Sequence, residues 1–423
     1  MNQAAKCLAL LCALGVTAGC GSIYRRPVDI TPAPAPGFSP SEKGELRDVV
    51  LVGNNWSGTV TVFDPVSYTT LAKIDVVPDW DVQIAEIKKS VVRQAAFKLI
   101  RQAAGEKHHQ LVDDVFMSKD GRYMYASRPS LADVIAIDVT TGKPKWTTRV
   151  EGVRADHAAL SPDGTRLLVS ASTAEKVHVI DTSDGRIVTS FESGNEPHES
   201  NYSHDESKIY HASIGRVFLP PLLPPGKRVF QERDAKTYAL LRSFDLEHIK
   251  KAKGCEWRDT AVRPMALAPD GRFVYLQMSF YHGLFELDLE KNEITRCQEL
   301  FVPEAVRKLP DRKYQLRSAH HGITMSGDAK EICVAGTMSA YAAIVNREDL
   351  SKFTVIPVGE KPYWSTTSAD GTKCYVSVSE KDRVAIISFA DKKEVGTVAT
   401  GDHPQRVRTG RMLIATLPSN KPQ

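Results

Sequence analysis

The sequence predicts an all-β protein, a seven-bladed β-propeller closed by its C-terminal strand. Two observations predict this fold. One four-strand pattern recurs along the chain at a period of about 40 residues, the spacing of propeller blades. The first copy lacks its opening strand, and an unmatched strand-like segment stands near the C-terminus at 404–408. A ring closed in this way leaves no long sheet edge exposed, so residues 45–415 are expected to form one domain.

The clearest copy of the repeat lies at 156–194. Short apolar strands are expected at 158–160, 166–170, 176–181 and 186–191, because Pro-Asp-Gly and Asp-Gly turns separate them. One four-stranded sheet cannot bury both of its faces, so it needs neighbours of the same kind. The other copies begin near Val49, Val115, Ser200, Met265, Gly322 and Trp364.

Several of these motifs carry a resemblance. The turn Ser-Pro-Asp-Gly at 161–164, the strand Tyr-Val-Ser at 375–377 and the strand at 177–181 resemble the YVTN family of propeller repeats. The resemblance covers almost the whole mature chain and implies the propeller fold. It implies no single function, because that family is similar to binding proteins, surface proteins, lactonases and the propeller parts of haem and quinone enzymes alike.

The N-terminus predicts export. Lys6 precedes an apolar run at 8–16 that is too short to span a bilayer, and small residues lead to Cys20. The ending resembles the lipobox of bacterial lipoproteins, which implies a signal peptide at 1–19 and an acylated Cys20. An ordinary signal peptide with a chance cysteine is the alternative. We expect a proline-rich tether at 20–44 and a protein anchored by lipid in the bacterial cell envelope, facing the periplasm.

Charge and cysteine content add little about partners. The chain has 55 Lys and Arg against 51 Asp and Glu, a net charge of +4, and no nucleic-acid partner is expected. In an oxidising compartment Cys255 and Cys297 could form a disulfide. Cys333 and Cys374, in equivalent strands of neighbouring blades, are expected to be small buried thiols.

The long insertions are all expected on one face of the ring. They lie at 78–110, 218–231, 247–262 and 299–319, whereas the turns at the opposite end are tight. Long loops that persist in a compact domain usually serve function. The first insertion contains an apolar helical pattern that would form a lid over the ring, a helix packed on the rim, or a basic helix touching anionic lipid. The apolar positions of this pattern are Ile84, Ile87, Val91, Ala95 and Leu99.

A polar ring is predicted at the mouth of the propeller on this same face. The positions seven and six residues before the aspartate of each first turn open the innermost strand of each blade. Imidazoles and carboxylates converging there could hold one transition metal, or act as acid and base on an anionic substrate. The alternative is the polar lining of a water-filled channel. The candidate metal ligands are His157, His198, His321 and His403, and the candidate catalytic residues are Asp156, Glu199 and Arg263.

Two functions remain open from the sequence. The first is an envelope lipoprotein whose mouth and inserted loops bind a small molecule or a protein partner. The second is a periplasmic metal-dependent enzyme, a hydrolase, lyase or oxidoreductase, with its site at the top of the channel. The sequence contains no Gly-x-Ser-x-Gly, Cys-x-x-Cys-His or phosphate-binding glycine-rich motif, which favours the first function.

Overall fold

Seven four-stranded antiparallel units surround one central channel in the computed structural model, which describes residues 22–27, 38–217 and 224–416. The seven-bladed propeller predicted from the repeat is therefore confirmed. We call the strands of each blade A to D from the channel outward. Residues 1–21, with the predicted signal peptide and Cys20, lie outside the described residues, as do 28–37, 218–223 and 417–423.

The first three blades occupy the N-terminal half of the chain. Blade one contains β1 (Phe38–Asn54), β2 (Thr59–Phe63) and β3 (Thr70–Asp75); blade two contains β4 (Val115–Met117), β5 (Tyr123–Arg128), β6 (Asp133–Asp138) and β7 (Lys143–Arg149); blade three contains β8 (Ala155–Leu160), β9 (Arg166–Ala171), β10 (Lys176–Asp181) and β11 (Ile187–Glu192).

Four further blades follow. Blade four contains β12 (Pro197–Tyr202), β13 (Lys208–Ile214), β14 (Arg228–Asp234) and β15 (Leu240–Phe244); blade five contains β17 (Val262–Leu267), β18 (Phe273–Met278), β19 (Gly283–Asp288) and β20 (Glu293–Glu299), with β16 (Lys250–Lys251) added in parallel to β20; blade six contains β21 (Gly322–Met325), β22 (Glu331–Gly336), β23 (Tyr341–Asn346) and β24 (Phe353–Pro357); blade seven contains β25 (Pro362–Thr367), β26 (Lys373–Val378), β27 (Arg383–Ser388) and β28 (Lys393–Ala399).

The C-terminal strand closes the ring. β29 (Pro404–Thr416) pairs antiparallel with β1, so it supplies strand A of blade one. Val407 lies opposite Val52, and the pairing continues outward to Phe38 opposite Thr416. The sheet thus begins at Phe38, before the boundary at 45 that the sequence suggested, because β29 is long enough to pair with residues assigned to the tether.

The tight turns share one hydrogen-bond pattern. In blade three Asp163 accepts hydrogen bonds from the Ser161 hydroxyl at 2.5 Å and the Thr165 amide at 3.0 Å, and Gly164 takes a positive φ of 77°. The carboxylate of Asp163 thereby accepts a hydrogen bond from a turn amide that has no backbone partner. Blades two and seven repeat the pattern with Asp120 and Asp370. This end of the ring is short and regular.

The first insertion forms two helices and not the single helix that the pattern suggested. α1 spans Trp80–Lys88 and α2 spans Val91–Ala103, and the Ser90 hydroxyl caps α2 by accepting from the Arg93 amide. Trp80, Ile84 and Ile87 of α1 and Phe97 and Ile100 of α2 are buried. The predicted apolar face is therefore wrong beyond Ile87, because the break at Ser90 turns Val91 and Leu99 toward solvent.

A buried ion-pair network fastens this helix pair to the rim of blade two. Arg128 is fully buried, donates to Asp133 at 2.7 and 2.8 Å, and also contacts the carboxylate of Asp79 at the start of α1. Trp80 and Ile84 pack with Leu131 of the same blade. This packing favours the rim-bound helix over the mobile lid among the alternatives. A third short helix, α3 (Glu304–Arg307), lies in the insertion before blade six.

Two disulfides lie in the second half of the ring. Cys255, in the loop before blade five, is joined to Cys297 of β20. Cys333 of β22 is joined to Cys374 of β26, so the expectation of separate thiols is wrong. Equivalent B strands of adjacent blades face each other across the blade interface, which brings the two buried sulfurs together. Among the described residues, no helix has the length and apolar character needed to cross a bilayer.

Candidate functional site

A repeated bulge at the start of strand A builds the mouth. In blade three Ala155 pairs with Ala171 and Ala158 with Val169, so two residues, Asp156 and His157, lie opposite Ser170 alone. A bulge interrupts the alternation of side chains and redirects those at the site. The same slip occurs in four further strand pairs and involves His198 with Glu199, Arg263 with Pro264, Tyr363 with Trp364, and Gln405 with Arg406.

His157 is at the centre of the resulting cluster. Its Nδ1 contacts both the Asp113 carboxyl group and the Arg406 guanidinium, and Asp156 Oδ1 is 3.7 Å from the same nitrogen. Its Nε2 lies 2.7 Å from Nε2 of His198, with the two rings nearly perpendicular. One nitrogen of this pair must donate and the other accept, so the pair cannot be doubly protonated in this arrangement.

Burial sets the protonation of this cluster. Desolvation lowers the pKa of His157 and His198 well below the ordinary histidine value, and the charge of Arg406 lowers both further. Desolvation also raises the pKa of Asp113, against the opposing effect of Arg406 and Arg154. The imidazoles are therefore neutral near pH 7, and the carboxyl group of Asp113 ionises less readily than an exposed one.

Arg406 has donors without partners. Its guanidinium carbon is 3.4 Å from the centre of the Trp364 indole ring, and the side chain is buried. Within the described part of the chain, Nε and Nη1 of Arg406 are buried and form no hydrogen bond. The same is true of His198 Nδ1 and His321 Nε2. Four buried nitrogens thus have unused hydrogen-bonding capacity at one site.

The remaining predicted residues line the edge of this site. His321 stacks on Tyr363 with ring centres 4.5 Å apart, and its Nδ1 is 3.2 Å from the Thr337 hydroxyl. Arg263 donates to Ser279 at 3.0 Å and contacts the carbonyl oxygen of Leu316, in the insertion before blade six. Burial lowers the pKa of Arg263 to about 10 and lowers that of His321, whose pKa the charges of Arg263 and Arg406 depress further.

His403 lies apart from the other candidate ligands. Its ring stacks on Trp56 at 3.8 Å, and Trp56 also stacks on His108 at 3.8 Å. Burial lowers the pKa of His403 to about 3, with smaller contributions from Lys361 and His108. The charge of Arg406 therefore lowers the pKa of His157, His198 and His321 alike. His403 lies instead in a separate aromatic stack.

Glu199 follows His198 in the bulge of β12 and lines a separate cavity. Its Oε1 accepts from Asn201 at 2.8 Å, and its buried Oε2 has no partner among the described residues. Burial raises the pKa of Glu199 to about 7. Beside it Arg408 makes two hydrogen bonds of 2.8 Å to Asp114. Glu199, Arg408 and Trp364 border a cavity of about 380 Å³ that extends along the channel.

Two residues of the site, Arg406 and Arg154, were missed by the sequence prediction. Arg406 was missed because β29 continues straight through Gly410 into its long pairing with β1, so no Pro-Asp-Gly turn marks its register. Arg154, which contacts Asp156, lies one position before β8. Asp113 was expected at the mouth, seven residues before Asp120, but not as a ligand or catalytic residue. Each position follows from the blade geometry once the bulge is known.

A metal site would use a narrower set of ligands. Ligand atoms of Asp113, Asp156 and His157 lie within 4.8 Å of one another. However, Arg154 already contacts Asp156, and Arg406 already contacts His157. Two guanidinium groups beside the ligands oppose a divalent cation, so the donor set fits a metal poorly in this arrangement.

One of three comparisons with known proteins supports the fold. No protein-family model matches the sequence, and no curated protein matches it. Among solved structures, the chain is similar to hydrazine synthase from Kuenenia stuttgartiensis, with a TM-score of 0.52 and 16% identity over 68% of this chain and 86% of that chain. At this identity the likeness concerns the fold alone. The fold and the site define the chain as a β-propeller with a buried, arginine-rich and histidine-rich mouth.

Proposed function

We propose that this protein is a binding protein of the cell envelope, and that the mouth of its propeller binds a small anion. A carboxylate, phosphate or sulfate group would accept hydrogen bonds from the guanidinium of Arg406 and from the neutral imidazoles of His198 and His321. The unused donors of Arg406 are the observation that carries this proposal.

The cost of burying Arg406 supports an anionic partner. A buried charged group without hydrogen-bond partners is strongly unfavourable, whereas a guanidinium paired with a planar anion makes strong, charge-assisted hydrogen bonds. Stacking on Trp364 fixes the plane of the guanidinium and leaves its edge available. The site is therefore organised before an anion arrives, which reduces the entropy lost on binding.

The surrounding charges also favour an anion. Three guanidinium groups, those of Arg154, Arg263 and Arg406, lie at the mouth. Asp156 contacts Arg154. The negative charge of Glu196 stabilises the charged forms of both Arg154 and Arg263. Because burial raises the pKa of Asp113, this third carboxyl group ionises less readily and repels a bound anion less strongly.

Calorimetric titration tests this proposal. Purified protein would be titrated with phosphate, sulfate, and small mono- and dicarboxylates. At least one is expected to bind, and Arg406→Gln should abolish the binding. Arg411→Gln is the matched control, because Arg411 is exposed on the same strand. If none of these anions binds, or if Arg406→Gln binds as well as the natural protein, the proposal is wrong.

A second candidate function, metal-dependent catalysis, rests on the grouping of Asp113, Asp156 and His157. Its test is elemental analysis of protein purified without an affinity tag. Stoichiometric zinc, copper, iron or manganese, lost in both Asp113→Asn and His157→Gln, would favour this function over anion binding. A metal-free protein that binds an anion would exclude it.

The envelope location rests on the sequence around Cys20. Labelled palmitate should be incorporated in cells, and Cys20→Ala should abolish the incorporation. Labelling that survives this substitution would contradict the lipid anchor, but it would leave the anion site untouched.

A further inference from the structure

The exposed face of α2 is apolar and basic. Val91, Val92 and Leu99 are 75%, 47% and 41% exposed, which is unusual for apolar side chains on the outer face of a folded helix. Lys98 lies among them on the helix. The sequence contains no acidic residue from 90 to 105. An apolar stripe with basic neighbours is the pattern of a helix that lies in a membrane interface.

The described N-terminal segment 22–27 contacts the same helix pair. The Tyr24 ring stacks on Phe97 at 5.9 Å, and its hydroxyl is 3.3 Å from Gln94. Trp80 donates its indole N–H to the Tyr24 carbonyl oxygen at 3.2 Å, and His109 Nε2 is 2.8 Å from the Ile23 carbonyl oxygen. These contacts fix the point at which the chain reaches the propeller from its N-terminus.

This attachment constrains the predicted anchor. Cys20 precedes Ser22 by two residues, and two residues of fully extended chain span at most about 7 Å. An acyl chain on Cys20 would therefore be attached within about 7 Å of Ser22, next to the segment whose Tyr24 contacts α2. Two independent features, the exposed apolar stripe and the docked N-terminus, thus meet at one place.

We propose that α2 docks on an anionic phospholipid surface, with Val91, Val92 and Leu99 entering the headgroup boundary and Lys98 contacting the headgroups. A basic and apolar contact of this kind would add to the membrane binding that the predicted lipid on Cys20 provides. Each basic residue near an anionic surface strengthens binding by about fivefold. This proposal is independent of the anion site at the mouth.

Vesicle cosedimentation tests the proposal without the lipid anchor. The chain from Gly21 to Gln423 retains every described residue and cannot be acylated at Cys20. It is expected to sediment with vesicles of phosphatidylglycerol and phosphatidylcholine in equal parts, and weakly with pure phosphatidylcholine. Val92→Glu combined with Leu99→Glu should reduce binding at least tenfold, and Lys98→Glu should reduce it several-fold.

The control double variant is Leu240→Glu with Leu241→Glu, on the exposed outer strand of blade four. These leucines are 50% and 52% exposed, and their substitution should leave vesicle binding unchanged. Arg406→Gln should also leave it unchanged, which separates headgroup binding on α2 from anion binding at the mouth. Absent sedimentation, equal binding to both vesicle types, or equal losses in the α2 and control variants would overturn the proposal. Unchanged circular dichroism of the variants would show that they fold.

Discussion

Arg406 lies against the indole of Trp364, with its guanidinium carbon 3.4 Å from the ring centre. The two residues come from different blades. Trp364 belongs to the bulge of β25, and Arg406 belongs to the bulge of the closing strand β29. The contact therefore exists only in the closed ring. It orients the guanidinium of Arg406, whose unused donors carry the proposed anion site.

Arg406→Lys is expected to weaken anion binding by roughly 30-fold, about 2 kcal/mol, because a lysine offers no planar pair of donors and stacks poorly on an indole. Calorimetric titration measures the loss. Arg408→Lys is a demanding comparison, because Arg408 is paired with Asp114 and should affect stability more than affinity. Equal affinity in Arg406→Lys and the natural protein would contradict the assigned role.

Anion affinity is expected to fall as the pH rises through about 7. Burial raises the pKa of Glu199 to about 7, and its charge interacts with that of Arg406. Below this pH Glu199 is neutral, and above it the added negative charge opposes a bound anion. Titrations at a series of pH values measure the effect. Glu199→Gln should remove this dependence and retain the affinity seen at low pH; a persisting decline would assign it to another group.

The protein is expected to lose stability as the pH falls from 7 to 5. Burial lowers the pKa of several histidines, so their folded-state pKa lies below the unfolded value of about 6.5. Between these two values the unfolded chain binds more protons, and stability therefore decreases on acidification. Each such histidine is expected to lower the free energy of unfolding by about 2 kcal/mol at pH 5. The pKa is about 3 for His211, His320 and His403 and about 4 for His109 and His282.

Thermal unfolding at pH 7 and 5 measures this loss. His320→Gln should lessen it, because glutamine can still hydrogen-bond with Tyr341 and does not titrate. His248→Gln is the control, since His248 is exposed. Glu199 acts in the opposite direction: its raised pKa favours the folded state at low pH. A melting temperature that stays constant from pH 7 to 5 would contradict the expectation.

Removal of the disulfide between blades six and seven is expected to destabilise the ring. Cys333→Ala with Cys374→Ala opens a covalent loop with a sequence separation of 41. A loop of this size corresponds to about 4 kcal/mol in the chain-entropy account. Denaturant unfolding of the double variant, compared with the Cys255→Ala and Cys297→Ala double variant, measures both contributions. Free thiols titrated at Cys333 and Cys374 in the untreated, unfolded protein would contradict the pairing.

Much of the fold was predictable because the repeat is local. Turns such as 161–164 and strands such as 176–181 follow from neighbouring residues, and the missing first strand identified the closing segment. The helix pair was less predictable, since the break at Ser90 depends on how Trp80 and Phe97 pack on the rim. The disulfide between Cys333 and Cys374 depends on how two neighbouring blades pack against each other, and the spacing of the cysteines in the sequence does not show this.

The candidate site, like the fold, was only partly predictable from the sequence. The sequence was sufficient to predict the seven-fold repeat, the closure of the ring, and the positions of His157, His198, His321 and Arg263 at the openings of innermost strands. The packing of the blades was needed to show that Arg406 stacks on Trp364 and contacts His157, and that His403 lies in a separate aromatic stack. The physical reason is that strand periodicity fixes the position of a residue within its blade, whereas bulges and ring closure fix which side chains from different blades meet.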